Sequence, residues 1–311
     1  MKIKIFVILS LCLTLSAVQA FGQKQIIKPN PEIARMVKEV SAKNIETTIR
    51  KLVSFGTRNT LSEQDNPTRG IGAARDWLYG EFIKISKDCG NCLDVQKEAF
   101  VQPKAPRVAE PTTLTNVFAI LNGTTDSKRY YVVSGHYDSM CNLDATDAKC
   151  DAPGANDDAS GTAVSLELAR VMSKRKFDAT IIFMTVPGEE QGLLGATNFA
   201  KQAAEKKINI EAMFTNDIVG GVTSYKNAPD RQTIRVFAEG VPSNETPAEA
   251  NSRRSVGGEN DSASRQLGRY IKEMADIYSP ICCGSELLAL NSIHSHSWFA
   301  CNSLIRRSNE V

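Results

Sequence analysis

The sequence predicts an α/β fold: a single domain with a mostly parallel mixed central sheet and helices on both faces. Three observations carry this expectation. Strand-like apolar runs alternate along the chain with segments whose apolar residues recur at helical spacing. Thr180–Val186 is a continuous apolar run, suited to a strand buried on both faces. The 311 residues, less an N-terminal leader, suit one large domain with a substantial core.

The leader comes first. Met1-Lys2-Ile3-Lys4 precedes an apolar run from Ile5 to Ala17 and the exit Val18-Gln19-Ala20. Charged start, apolar core and small-residue exit make a secretory signal, so residues 1–20 are expected to be cleaved and 21–311 to form the domain. The run is shorter than the roughly 20 residues of a spanning helix. The expectation is therefore a secreted or periplasmic protein with no stable membrane insertion after cleavage. One helix is expected over Pro31–Phe55, with Ile33, Met36, Val37 and Val40 on one side, and a second over Gly70–Ile85, with Ile71, Trp77, Leu78 and Phe82. Strands are expected at Thr115–Leu121, ended by Asn122-Gly123, and at Tyr130–Ser134. A helix over Gly161–Ser173 presents Val164, Leu168 and Val171, and after the Thr180–Val186 strand another helix spans Thr197–Lys207. Strands at Met213–Val219 and Thr233–Ala238 follow, then a surface loop over 240–260 and a helix over Ser262–Tyr278.

The charge balance, 37 basic against 35 acidic residues well mixed, shows no basic stripe and argues against a nucleic-acid partner. Of eight cysteines, Cys12 leaves with the leader; Cys89, Cys92, Cys141, Cys150, Cys282, Cys283 and Cys301 remain. With no second Cys-x-x-Cys, Cys89 and Cys92 read as a local disulfide rather than half of a zinc site. Cys141 and Cys150 read the same way.

Chemistry concentrates at strand ends. His136-Tyr137-Asp138 follows one strand, Asn156-Asp157-Asp158 precedes a helix, Glu189-Glu190 follows the buried strand, and Asn216-Asp217 closes another apolar segment. In open α/β sheets ligands bind beyond the C-terminal strand ends. Singly, each piece is ordinary: a His-x-Asp hydrogen-bonding pair, an acidic helix N-terminus, a solvated Glu-Glu loop, a turn aspartate. Jointly they crowd carboxylates that repel unless a cation neutralises them. One histidine with several carboxylates suits zinc bound through nitrogen and oxygen. Two ions about 3.5–4 Å apart can share one carboxylate, leaving another as base.

At these residues the sequence resembles the co-catalytic zinc exopeptidases that include bacterial leucyl aminopeptidases, aminopeptidase S and glutamate carboxypeptidase. The matching segments are Gly-His-Tyr-Asp-Ser at 135–139, Gly-Ala-Asn-Asp-Asp-Ala-Ser-Gly-Thr at 154–162, Glu-Glu-Gln-Gly-Leu-Leu-Gly at 189–195 and Asn-Asp-Ile-Val-Gly at 216–220. Segments 52–58, 70–75 and 258–267 fit as well. The resemblance implies a zinc exopeptidase-like fold and an aminopeptidase acting on peptide or protein N-termini. It implies two Zn2+ ions, with His136 and Asp217 on one, Glu190 on the other, Asp157 bridging, Glu189 as general base and Asp138 orienting a ligand. A carboxypeptidase or glutaminyl cyclase on the same scaffold, and a catalytically impaired binding protein, are the alternatives.

The family also implies a late histidine as fifth ligand. Only His294 and His296 are available, and His296, with Phe299 three residues on, is the candidate. Residues 281–311 otherwise depart from the family pattern and read as a truncated or frame-shifted end. Trp298 must be encoded TGG and the Phe299 codon begins with T, so dropping one nucleotide forces a glycine. With allowed synonymous codons the reread peptide contains Gly-x-Pro-Ala-Ile-Arg, which the family places after its last ligand.

Overall fold

The alternation of strand and helix resolves into a five-stranded sheet in the order β1-β2-β4-β3-β5. Its strands are β1 (Leu93–Gln102), β2 (Thr112–Leu121), β3 (Asp126–His136), β4 (Ala179–Val186) and β5 (Asn209–Thr215). The computed structural model describes residues 28–141, 143–221 and 234–279, and the backbone alone of 286–290. The leader, His294, His296, the last three cysteines and all of the expected frame-shifted end but 286–290 lie outside the described residues.

The sheet is mixed, as expected. β1 pairs antiparallel with β2, and β2 with β4. The parallel part is β4-β3-β5, whose C-terminal ends lie side by side, His136 opposite Val186 and Ser134 opposite Thr215. Parallel strands need crossovers, and helices α4 (Ala159–Met172) and α5 (Leu194–Glu205) stand at those points of the chain.

Strand alternation sorts the core into two layers. Val117, Ala119, Leu121, Ile181 and Phe183 face one side, against Leu52 of helix α2 (Ala42–Val53), Leu78 and Phe82 of helix α3 (Gly70–Asp88) and Leu166 of α4. Phe118, Val132, Ile182, Met184 and Val186 face the other, against Phe199 and Ala203 of α5. Both faces of β4 are covered, so all its residues are buried, which is why its sequence reads as unbroken apolar.

Three expectations are corrected. The helix expected over Pro31–Phe55 is two helices, α1 (Pro31–Glu39) and α2, because the Ser41 side chain caps α2 by accepting from the Asn44 amide. The strand expected at Met213–Val219 is β5, which starts and stops earlier, since the chain turns at Ile218, whose φ is 47°, and the Val219 and Gly220 amides donate to Ser160 Oγ and Asn156 Oδ1. The 240–260 segment holds helix α6 (Pro247–Ser255), started by a Thr246–Glu249 capping box, and a short 3-10 turn (Gly258–Asp261). Beyond it run helix α7 (Ala263–Tyr278) and a parallel pair, β6 (Arg235–Glu239) with β7 (Glu286–Leu290). Among the described residues no helix is long and apolar enough to cross a membrane. The Cys89–Cys92 and Cys141–Cys150 disulfides are both formed, as expected.

Candidate metal centre

His136 is the last residue of β3 and is buried. Its Nδ1 lies 3.2 Å from Asp138 Oδ1. An ionised carboxylate only accepts, so Nδ1 carries the proton and Nε2 is left as the ligand-type nitrogen. Nε2 lies 3.1 Å from Asp157 Oδ1, 3.4 Å from Asp217 Oδ2 and 4.0 Å from Glu189 Oε2. His136 Nε2 and Asp217 Oδ1 are buried without a hydrogen-bond partner. One ligand atom each from His136, Asp157 and Asp217 lies within 4.8 Å of the others. An acceptor nitrogen ringed by acceptor oxygens is stable only with a proton or a cation among them. The donor set of one imidazole nitrogen and carboxylate oxygens fits zinc.

The scaffold explains how the chain sustains this cluster. Asp138 is fully buried yet accepts from the Thr60 hydroxyl at 3.0 Å, the Glu189 amide at 3.3 Å and the Glu190 amide at 3.2 Å, besides His136. The same Thr60 oxygen accepts from the Gly188 amide at 2.9 Å. One carboxylate thus fixes both the imidazole and the loop after β4 that carries Glu189 and Glu190. Asp158, also fully buried, caps α4 by accepting from the Gly161 amide at 2.8 Å and takes the His136 amide at 3.0 Å. This ties the end of β3 to the start of α4. Gly161 has to be glycine: a Cβ there would lie 2.0 Å from the Asn216 carbonyl oxygen, so the bare backbone is what lets the Asp217 loop settle against α4.

Beneath them the Arg58 guanidinium is wholly buried and donates to the carbonyls of Tyr137, Leu52, Pro153 and Gly154 at 2.7–3.2 Å. Burial brings its pKa down to about 10, against the pull of Asp138, Asp158 and Asp157.

Burial and mutual repulsion shift the acids of the cluster. Burial, reinforced by the charges of Asp138 and Asp157, raises the Glu190 carboxyl to about 8. Burial likewise raises Asp217, with His136 opposing, and raises Asp158 well above the carboxylate range. Burial works against the His136 imidazolium, but the carboxylates of Asp138, Asp157 and Asp217 outweigh it and lift its pKa well above the histidine range. For Asp138 burial is likewise the largest influence, and the hydrogen bond from His136 overrides it to lower the pKa. Such opposed shifts in one cluster mark functional sites.

Of the residues singled out from sequence, His136, Asp157 and Asp217 form the compact trio, Glu189 borders it, and Asp138 grips the imidazole. Glu190 is held by its backbone on Asp138 and senses Asp157, yet its carboxylate is not in the trio. His296 is outside the described residues. Sequence reasoning missed Asp158, which looks like Asp157 in the Asn-Asp-Asp run, and Thr60, which no local pattern marks.

Comparison with known proteins gives the chain its relatives. The description "Peptidase family M28" matches residues 116–275. A "Probable zinc metalloprotease" of the fungus Leptosphaeria maculans is 48% identical over 252 residues, covering 80% of this chain and 58% of its own. The chain spans little more than half the length of the curated relatives it matches. Among solved structures, the LapA aminopeptidase of Legionella pneumophila aligns with TM-score 0.58 and 20% identity, over 94% of this chain and 65% of that one. Porphyromonas gingivalis glutaminyl cyclase aligns with TM-score 0.53 and 16% identity, over 88% of this chain and 81% of that one. At such identities the likeness is one of fold.

Proposed function

This chain belongs to peptidase family M28, and from that premise we propose that it is a secreted, zinc-dependent aminopeptidase acting on the N-termini of peptides and proteins. The observation that carries the proposal is the pair of partnerless buried ligand atoms, His136 Nε2 and Asp217 Oδ1, facing Asp157. His136 and Asp217 would hold one zinc, Glu190 a second, and Asp157 both. His296, from outside the described residues, is the candidate to complete the second site.

When bound, zinc supplies polarisation of the scissile carbonyl and acidification of a water molecule. The chain's own residues do the rest. Asp138 keeps His136 in the tautomer whose Nε2 can bind. Glu189 takes a proton from the attacking water as its oxygen bonds to the carbonyl carbon. It then gives the proton to the departing nitrogen as the C–N bond breaks. The substrate's α-ammonium group is drawn to the surrounding carboxylates, which favours cleavage at chain ends.

The test combines metal content by mass spectrometry with hydrolysis of an aminoacyl chromogenic substrate. Chelation should abolish turnover and zinc restore it. Full activity in exhaustively chelated protein refutes zinc dependence. Cyclisation of an N-terminal glutaminyl peptide without aminoacyl hydrolysis would move the chain to the cyclase alternative.

A further inference from the structure

The centre is bounded by carboxylates: Asp138, Asp157, Asp158, Asp217, Glu189 and Glu190. Its buried cation, Arg58, is committed to backbone carbonyls below it. On the solvent side stands Arg107, in the connection between β1 and β2, whose Nη1 donates to the Glu190 carbonyl at 2.6 Å. A guanidinium carries five N–H donors, and among the described residues Arg107 has no other hydrogen bond and no ion pair. The bond falls on a neutral carbonyl, so the charge is not spent on the site's carboxylates.

The mount is firm. Ala105 and Val108 exchange reciprocal backbone hydrogen bonds at 2.9 and 3.0 Å across Arg107, and Val108 is fully buried. An exposed arginine is thus presented from a tight turn and docked on the Glu190 carbonyl, with its other donors free of protein partners among the described residues. If Glu189 hands the proton to the departing nitrogen, that segment borders the departing part of the substrate, and Arg107 lies beyond it.

We propose that Arg107 is a specificity-determining residue that pairs with a carboxylate carried by the substrate residue immediately after the scissile bond. That carboxylate is either the side chain of an acidic residue or the free C-terminus of a dipeptide. The proposal rests on the aminopeptidase reading for its orientation. A guanidinium–carboxylate pair is bidentate in reach and charge-assisted. Hydrogen bonds to charged groups contribute enough for about a tenfold or greater preference over a neutral isostere.

Three peptides sharing an N-terminal leucine test it: Leu-Glu amide, which carries a side-chain carboxylate; Leu-Gln with a free C-terminus, which carries a terminal one; and Leu-Gln amide, which carries neither. kcat and KM are measured on zinc-loaded protein for the parent, Arg107→Ala and Arg107→Glu. The same peptides are titrated calorimetrically into zinc-loaded Glu189→Gln protein with and without Arg107→Ala. The expected result is a preference of about tenfold or more for at least one carboxylate peptide. That preference should reside mainly in KM, collapse in Arg107→Ala and reverse toward Leu-Gln amide in Arg107→Glu. Which of the two carboxylate peptides is preferred identifies the source of the charge. A merely structural Arg107 lowers all three peptides alike and leaves their ratios unchanged, and that outcome overturns the proposal, as does the absence of any preference in the parent. Should the parent bind the peptides with this Arg107-dependent preference yet cleave none, the aminopeptidase reading fails and the carboxylate site stands.

Discussion

Thr60→Val is the sharpest test of how the centre is held together. Valine matches threonine in shape but removes the hydroxyl that donates to Asp138 at 3.0 Å and accepts from the Gly188 amide at 2.9 Å. Thr60 is wholly buried, so water cannot replace either bond. Losing a hydrogen bond to a carboxylate costs about 1.5–3 kcal/mol, and stranding the Gly188 N–H about 1–3 kcal/mol. The two overlap, because Asp138 keeps its three other donors, so we work with about 3 kcal/mol. For a domain of this size that lowers Tm by about 6–12 °C. The loop bearing Glu189 and Glu190 also loses one of its ties to Asp138, so zinc affinity should fall about 10–100-fold, as when an outer partner of a metal ligand is removed. Thermal unfolding of the metal-free protein and chelator competition for zinc measure both. Thr60→Ser, which keeps the hydroxyl, should recover most of each. A Thr60→Val protein that melts within about 2 °C of the parent and binds zinc as tightly would refute the reasoning.

The other predictions are brief. Glu189→Gln should bind zinc normally yet lose about 10²–10⁴ in turnover; near-parental rates would assign the proton to another group. In the metal-free protein the Glu190 carboxyl, at about 8 when folded against 4.5 when exposed, keeps a proton that the unfolded chain releases between those values. Stability should therefore fall as pH rises through that window, a slope that Glu190→Gln reduces. Zinc uptake near neutral pH should release protons, seen as a buffer-dependent calorimetric enthalpy; a buffer-independent enthalpy contradicts the raised Glu190 and His136. Breaking the Cys141–Cys150 bridge by a double serine substitution should cost about 2–3 kcal/mol for so short a loop, read by urea unfolding, and non-reducing peptide mapping should recover the linked pair.

How much of this was legible in the sequence depended on what each residue's surroundings demand of it. β4 announced itself because both its faces are covered. The acidic segments announced themselves because several strand ends carried groups that water would serve better. β1 was not read: as an edge strand it is largely half-exposed or exposed, with only Leu93 buried, so charged residues interrupt its alternation. α6 buries only Ala250 and has no apolar stripe, although Thr246-Pro247 followed by Glu249 carried a helix-start signal. Asp157 and Asp158 cannot be told apart in a sequence, yet one belongs to the trio and the other is fully buried, tying the end of β3 to α4. Thr60 and Arg58 act across long loops, and nothing local to them states their partners.

Asp138 gathers its donors from segments that are strangers along the chain: Thr60 lies 78 positions away and Glu190 lies 52. No short peptide cut from this protein contains the centre, and an unfolded chain has no reason to assemble it. Zinc should therefore recognise the folded state almost exclusively, so free zinc at a hundredfold excess over its Kd would protect the fold by about 2.7 kcal/mol. During synthesis the trio of His136, Asp157 and Asp217 is incomplete until β5 has emerged and docked beside β3. Capture of the ion would then serve as a late checkpoint, one that a chain stalled before Asp217 could never pass.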